Sequence, residues 1–449
     1  MRLPLLCLAV LLAAAAGASP AAAHPAVGAD GLNTVRVLPG PTSAAEEAAV
    51  RAAETQVGAD HVSSDNVELV RSIKLAADGV GARVVGSFLY VTTTKDLEIY
   101  DISDPADPGL VGAVTLDVEF ENEQVPTNGQ VLGISGQTPS ITESGVCPSL
   151  YPTTSSGCLV LFDVRDKAQP KQVATVLGAG DHTSTCVLDC TYTYGSSGSI
   201  VDLRGVLGPD HTAKKLDTNW ISYLKGQGYA FNGSCHHQTE VRPGILLTAC
   251  NPMYLLSVRA EDGASPERPK VLGAADFSAA PDDQKRFVHS AEWARGGTDK
   301  IMLSGGETNF QPTCGETNGA FSTFRVGGKP DAPTFTWADQ VRPVAGTYLD
   351  GNPPDGSYHL GCSVHWFEPH PTFRNGGVVA MASYENGTRF QKIVADGQIT
   401  EVGFFEPLGG ATSAPHWAPD GRTVYAIDYQ RGIDVLRYDG PLYIGGRDR

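Results

Sequence analysis

From Phe88 to Gly112 the chain reads FLYVTTTKDLEIYDISDPADPGLVG. Two runs rich in β-branched, aromatic and aliphatic residues, Phe88 to Thr93 and Leu97 to Ile102, flank a polar turn at Lys95-Asp96. The stretch Asp104-Pro105-Ala106-Asp107-Pro108 then breaks the chain before a third run, Leu110 to Leu116. Proline fixes turns and is excluded from central strands, so the pattern predicts a meander of three strands.

The unit recurs. A second runs through Gln130 to Ser135 and Cys158 to Val164, then Asp166-Lys167-Ala168-Gln169-Pro170 and Gln172 to Leu177, with its middle turn swollen to Gly136 through Gly157. A third begins at Asp181-His182 and includes Ser199 to Leu203. A fourth begins at Cys235-His236-His237 and includes Ile245 to Ala249 and Tyr254 to Val258. A fifth begins near Val288-His289, with Lys300 to Ser304 and Ala320 to Val326 around an insertion. A sixth begins at Cys362 to His365, with Gly377 to Tyr384 and Thr388 to Val394; a seventh begins at Pro415-His416, with Thr423 to Asp428 and Ile433 to Tyr438.

The seventh unit lacks an outer strand, and the run Val67 to Leu75 has no sibling beside it. Pairing the two predicts an all-β, seven-bladed β-propeller closed by an N-terminal strand, at about 55 residues per blade. A β-sandwich does not predict seven similar units. The wording of the first unit closely resembles the LVIVD repeat, a family of extracytoplasmic repeats for which the resemblance implies one propeller blade per unit and export, and leaves activity undefined. More distantly, and by architecture alone, the histidines described below are similar to those of propeller oxidases such as methanethiol oxidase, where histidines hold a copper.

Composition narrows the function. With 33 basic against 50 acidic residues the formal charge is -17, which repels phosphate backbones and anionic lipid. Neither nucleic acid nor a membrane is an expected partner. Arg2, the apolar run Leu3 to Ala16 and the small residues ending Ala21-Ala22-Ala23 read as a secretory signal cleaved before His24, giving a secreted, extracytoplasmic protein with no membrane insertion. The expected organisation is residues 1–23 signal peptide, 24–66 a spacer with a short helix opened by the capping box Ser43-Ala44-Ala45-Glu46, 67–440 propeller and 441–449 tail. Of nine cysteines, Cys7 is lost with the signal. The blade assignment brings together Cys147 with Cys158, Cys186 with Cys190, Cys235 with Cys250, and Cys314 with Cys362, as disulfides suited to an oxidising compartment.

In a propeller the first strand of each blade lines the central channel. Five of the seven blades open with a histidine: His182, His237, His289, His365 and His416, at spacings of 55, 52, 76 and 51 residues. His236 is a register alternative to His237; the shared His-x-x-Glu of Glu240, Glu292 and Glu368 favours His237. A ring of imidazoles around one axis is costly if the rings charge together, and a bound transition metal, copper or zinc, is the simplest arrangement that uses them. Calcium and magnesium want oxygen donors.

The turns between second and third strands fall on the same face. They carry Glu385, Arg389 and Arg431, the candidate catalytic groups, expected to orient a small substrate beside the metal. Two readings follow. One is a metal-dependent propeller, extending to an oxidoreductase acting on a small molecule. The other is a non-catalytic binding propeller that recognises an extracellular protein or glycan through the long loops Gly136 to Gly157 and Thr308 to Gly319.

Overall fold

The structure is a computed structural model that describes residues 60–116, 122–136, 157–232, 235–275, 277, 287–307, 319–329, 331–342, 362–408, 410–444 and 447–448. The signal, the capping-box helix, most of both insertion loops, Cys147 and Cys314 lie outside the described residues.

The founding unit folds as a four-stranded antiparallel blade, Gly79–Val85, Phe88–Thr93, Asp96–Asp101 and Gly109–Thr115. Its turns follow from local chemistry. Thr93 Oγ1 accepts from the amides of Lys95 and Asp96 at 3.0 and 2.7 Å, closing the first turn. At the second, Asp104 Oδ1 accepts from the Ala106 amide at 3.1 Å, and Asp166 does the same for Ala168 at 3.0 Å in the next blade. The Asp-x-x-x-Pro stretches are therefore one turn used twice.

Seven such sheets surround the channel. The middle strands Phe88–Thr93 and Asp96–Asp101 are buried at nearly every position, whereas the outer strand Gly109–Thr115 is largely exposed. Each blade is covered on both faces by its neighbours, which removes the in/out alternation of a half-buried strand. The core is accordingly divided into seven wedges, one per interface between blades. Tyr90, Leu97 and Ile99 of blade one pack on Leu132, Val160 and Phe162 of blade two in one such wedge. Contact is close enough that a Cβ on Gly112 would lie 2.0 Å from the Lys167 carbonyl oxygen.

The ring closes as expected. Val67–Ile73 pairs antiparallel with Gly432–Tyr438, with Val67 opposite Tyr438 and Ile73 opposite Ile433, completing blade seven. A second clasp was not foreseen in the spacer: His61–Ser63 adds a fifth strand to blade six by pairing with Ile399–Pro407. Blade two departs from the pattern. Its regular sheet has three strands, Val131–Gly136, Cys158–Asp163 and Lys171–Leu177. The channel side is lined by an irregular segment that bridges antiparallel from Thr127 to Leu132 and parallel from Gln124 to Ala82 of blade one.

The Cys186–Cys190 and Cys235–Cys250 disulfides are formed. Cys158 and Cys362 are also disulfide-bonded, and the partners expected for them are outside the described residues. Among those residues no helix is long and apolar enough to cross a membrane.

Candidate metal centre

The first strands deliver their leading side chains to the axis by a repeated ladder contact. The amide of His236 donates to the carbonyl of Ala249, that of His289 to Gly305 and that of His365 to Ala382, at 2.9, 2.9 and 3.0 Å. In each case the acceptor lies at the end of the blade's second strand. His182 is fixed by its neighbours: the Asp181 amide donates to Ser135 Oγ at 2.7 Å, and Thr183 Oγ1 donates to the His236 carbonyl.

Four imidazoles and one carboxylate meet there. Glu123, on the irregular segment of blade two, is fully buried. Its Oε1 is 3.3 Å from His182 Nε2, and its Oε2 is 3.7, 3.2 and 3.4 Å from the Nε2 atoms of His236, His289 and His365. The rings follow one another around the axis, with centroids 4.6 Å apart from His182 to His236, 3.8 Å from His236 to His289 and 4.4 Å from His289 to His365. Glu307 Oε2 lies 3.8 Å from His289 Nε2. Tyr384 lies flat on His365, centroids 4.5 Å apart, and gives its hydroxyl hydrogen to Glu307. The Trp366 indole N–H donates to Glu123 Oε2 at 3.1 Å.

Glu123 is held from both sides. The carbonyl of Asn122 accepts from Thr92 at 2.8 Å, the Asn122 side-chain oxygen accepts from the Ser135 amide at 3.0 Å, and the Gln124 side chain accepts from Thr185 at 2.9 Å. The segment runs so close to blade one that a Cβ on Gly81 would lie 2.2 Å from the Glu123 carbonyl oxygen. Glycine at position 81 is thus a condition for the carboxylate to reach the axis.

Three features suit the cluster to a cation. The N···O separations of 3.2–3.7 Å are longer than the about 2.7–2.9 Å of a charge-assisted hydrogen bond. Three of the four fall within the roughly 3.0–3.5 Å between donors that share an ion at bonds of about 2.1 Å, and the fourth, to His236, is longer at 3.7 Å. The His365 Nδ1 contacts the Ser413 carbonyl at 2.7 Å; a carbonyl only accepts, so Nδ1 carries the hydrogen and Nε2 presents its lone pair to the centre. Burial, reinforced by nearby His365, pushes the His289 ring down to about 4, leaving it the neutral imidazole that ligation requires.

The structure brings together His182, His289 and His365 of the expected set, and corrects two members. His236, not His237, faces the cluster: neighbours on a strand point to opposite sides. His237 instead lies with its ring edge-on to Trp366 and its Nε2 2.7 Å from Thr239 Oγ1. His416 belongs to a different rung. Trp417 pairs with Val424, the second residue of its neighbouring strand, where blade six has His370 opposite Val378. The equivalent of His365 is thus near Thr412, and His416 sits further along the channel, its Nδ1 2.9 Å from Glu368.

Of the candidate catalytic residues on the turns, Arg389 and Arg431 are held in ion pairs. Arg389 is buried and pairs with Glu406 and Glu401 at 3.1 and 3.4 Å. Arg431 grips Asp434 with two nitrogens, at 2.7 and 3.0 Å, next to the closing strand. Glu385 is buried immediately after Tyr384. The sequence reading had His236 only as a register alternative and missed Glu123, Glu307 and Tyr384. The signal for Glu123 is indirect: a four-stranded unit needs a channel strand before Gln130, and Asn122 to Thr127 is the segment available.

Residues 80–115 match the sequence model of the LVIVD repeat. No curated protein matches the chain. Among solved structures, YCF48 from Cyanidioschyzon merolae aligns with a TM-score of 0.50 at 10% identity, covering 83% of this chain and 98% of that one. The RRP9 WD40 repeats align at 0.49 and 9% identity over 85% and 98% of the two chains. A functionally unknown protein from Desulfotomaculum acetoxidans DSM 771 aligns at 0.46 and 10% identity over 86% and 94%. Likeness at this level of identity concerns the fold alone.

Proposed function

We propose that this chain, whose residues 80–115 match the LVIVD repeat and whose seven sheets form one ring, holds a transition-metal centre at its axis in an exported protein acting on a small molecule. The single observation that carries this reading is the convergence of Glu123 with His182, His236, His289 and His365 at ligand-to-ligand separations. Imidazole donors with one carboxylate suit copper, zinc, iron or nickel. When bound, the metal would supply Lewis acidity or, for copper or iron, electron transfer; the oxidoreductase reading rests on the latter.

The chain's own residues have assigned tasks. Ser413 sets the His365 tautomer, and Trp366 holds Glu123 by its N–H. Glu307 accepts the Tyr384 hydroxyl, which places an ionisable pair beside His289 and His365. Tyr384 is held there at a φ of 48°, a left-handed conformation that a bulky side chain adopts only at a cost of order 1–3 kcal/mol. Export is supported by the disulfides, which persist in oxidising compartments.

Elemental analysis of untagged protein purified from an oxidising compartment tests the reading. About one transition-metal ion per chain is expected, falling sharply in a His289→Ala, His365→Ala double variant. Metal-free native protein, or undiminished metal in the variant, refutes it.

A further inference from the structure

Beyond the imidazole cluster, the channel contains a cavity of about 360 Å³ whose wall includes Glu123 and Trp366 but none of the four clustered histidines. It is lined instead by the residues that left the expected ring and their partners: Arg83, His237, Thr239, Glu292, Glu368 and His416. Its size is at the lower end for small-molecule pockets.

The polar groups around it are mainly acceptors. His237 is 2% exposed. The Thr239 hydroxyl lies 2.8 Å from the Ala291 carbonyl and 3.2 Å from Glu292 Oε1. Both can only accept if Glu292 is ionised, so the hydroxyl hydrogen goes to one of them, and His237 must donate its own Nε2–H to the hydroxyl oxygen at 2.7 Å. That leaves His237 Nδ1 as a buried lone pair with no hydrogen-bond partner among the described residues. Glu292 adds a second acceptor. Burial, opposed by Arg83, holds its carboxyl up at about 7, so the cost of burying this charge exceeds what its neighbours return. Glu368 adds a third, with one oxygen facing His416 Nδ1 at 2.9 Å. The two cations in the lining, Arg83 and Arg295, are both exposed.

We propose that this chamber binds a small primary amine, its ammonium group donating to Glu292 and Glu368 while its apolar part lies against Trp366. A primary ammonium has three N–H donors on one atom and supplies the missing positive charge. An indole face offers further attraction to a cation. Glu123 borders both the chamber and the imidazole cluster, so a bound amine sits next to the centre without belonging to it. The inference needs the channel geometry and not the metal, so the two readings fail separately.

The experiment uses three probes of one shape, benzylamine, benzyl alcohol and benzoate, titrated calorimetrically at pH 8 into the full-length secreted protein. Saturable benzylamine binding is expected, with the alcohol and the carboxylate at least about tenfold weaker. Glu292→Gln and, independently, Glu368→Gln are each expected to weaken benzylamine by about tenfold or more. Prior treatment with a chelator is expected to leave benzylamine binding intact. Equal or tighter binding of benzoate or benzyl alcohol overturns the proposal, as does benzylamine affinity unchanged in both glutamine variants. Loss of benzylamine binding on chelation also overturns it, because the amine would then sit on the centre itself.

Discussion

Removing the His289 ring is the sharpest perturbation of the proposed centre, because its Nε2 belongs to two of the convergent donor groups, one with Glu123 and His365 and one with His236 and Glu307. Among the described residues, only Glu123, His182 and His236 remain as an intact group in His289→Ala. An ion that binds the native state alone, present at 100 times its dissociation constant, stabilises by about 2.7 kcal/mol. The strands from Val67 to Tyr438 carry an unfolding entropy of about 0.8 kcal/mol/K, from about 2.1 cal/mol/K per residue, so that stabilisation is worth about 3 °C in Tm. If losing His289 weakens binding by about 100-fold, the same metal concentration gives only about 0.4 kcal/mol, under 1 °C.

The assay is therefore the difference in Tm with and without a chelator, measured within each variant, which cancels the intrinsic cost of deleting a buried ring. Wild type is expected to lose about 3 °C on chelation and His289→Ala almost nothing. His237→Ala, one residue from a ligand but outside the cluster, is expected to keep the wild-type response. Equal chelator shifts in wild type and His289→Ala, or a shift abolished by His237→Ala, would refute the reasoning.

Gly81→Ala changes no ligand but places a Cβ 2.2 Å from the Glu123 carbonyl oxygen; metal content measured by elemental analysis is expected to fall, and wild-type content would show that Glu123 does not complete the site. Glu292 has a folded value of about 7, raised mainly by burial, against an ordinary value of 4.5, so the native state is penalised progressively as pH rises through 7 and not at pH 4. Glu292→Gln is therefore expected to stabilise by about 1–2 kcal/mol at pH 8 and negligibly at pH 4 in denaturant titrations, and equal effects at both pH values would contradict this. Deleting residues up to Ile73 strips the strand paired with Gly432–Tyr438, and the exposed edge is expected to drive self-association visible by size-exclusion chromatography.

The blades were legible because their punctuation is chemical. The Asp104 and Asp166 turns use the same side-chain contact, and the unpaired run at Val67 had one vacancy to fill. The site was legible only in outline. His-x-x-Glu suggested one register for the fourth, fifth and sixth blades, yet its three glutamates do different work: Glu240 accepts the amides of Leu188 and Gly244, Glu292 neighbours Thr239, and Glu368 pairs with His416. A motif shared by letters was not shared by role, and it selected His237 over His236. His416 was read as the opening of the seventh blade, but the hairpin register puts the equivalent of His365 near Thr412. Glu123 was invisible because it differs in residue type from the histidines and lies on the one inner segment too irregular to read as a strand.

The donors and the closing strands divide the ring between them. Glu123, His182, His236, His289 and His365 come one each from blades two to six, in order. Blades seven and one supply no donor to that group. The N-terminal segment binds those instead: His61–Ser63 pairs with blade six, Val67–Ile73 with blade seven, and the chain then enters blade one at Gly79. Each run of neighbouring blades is thus crossed by a tie independent of the seven apolar wedges, at the axis on one side and at the rim on the other. A central ion would therefore brace blades two to six in addition to any chemistry it performs, and its removal should relax protection from hydrogen exchange there before it does so at the Val67 clasp.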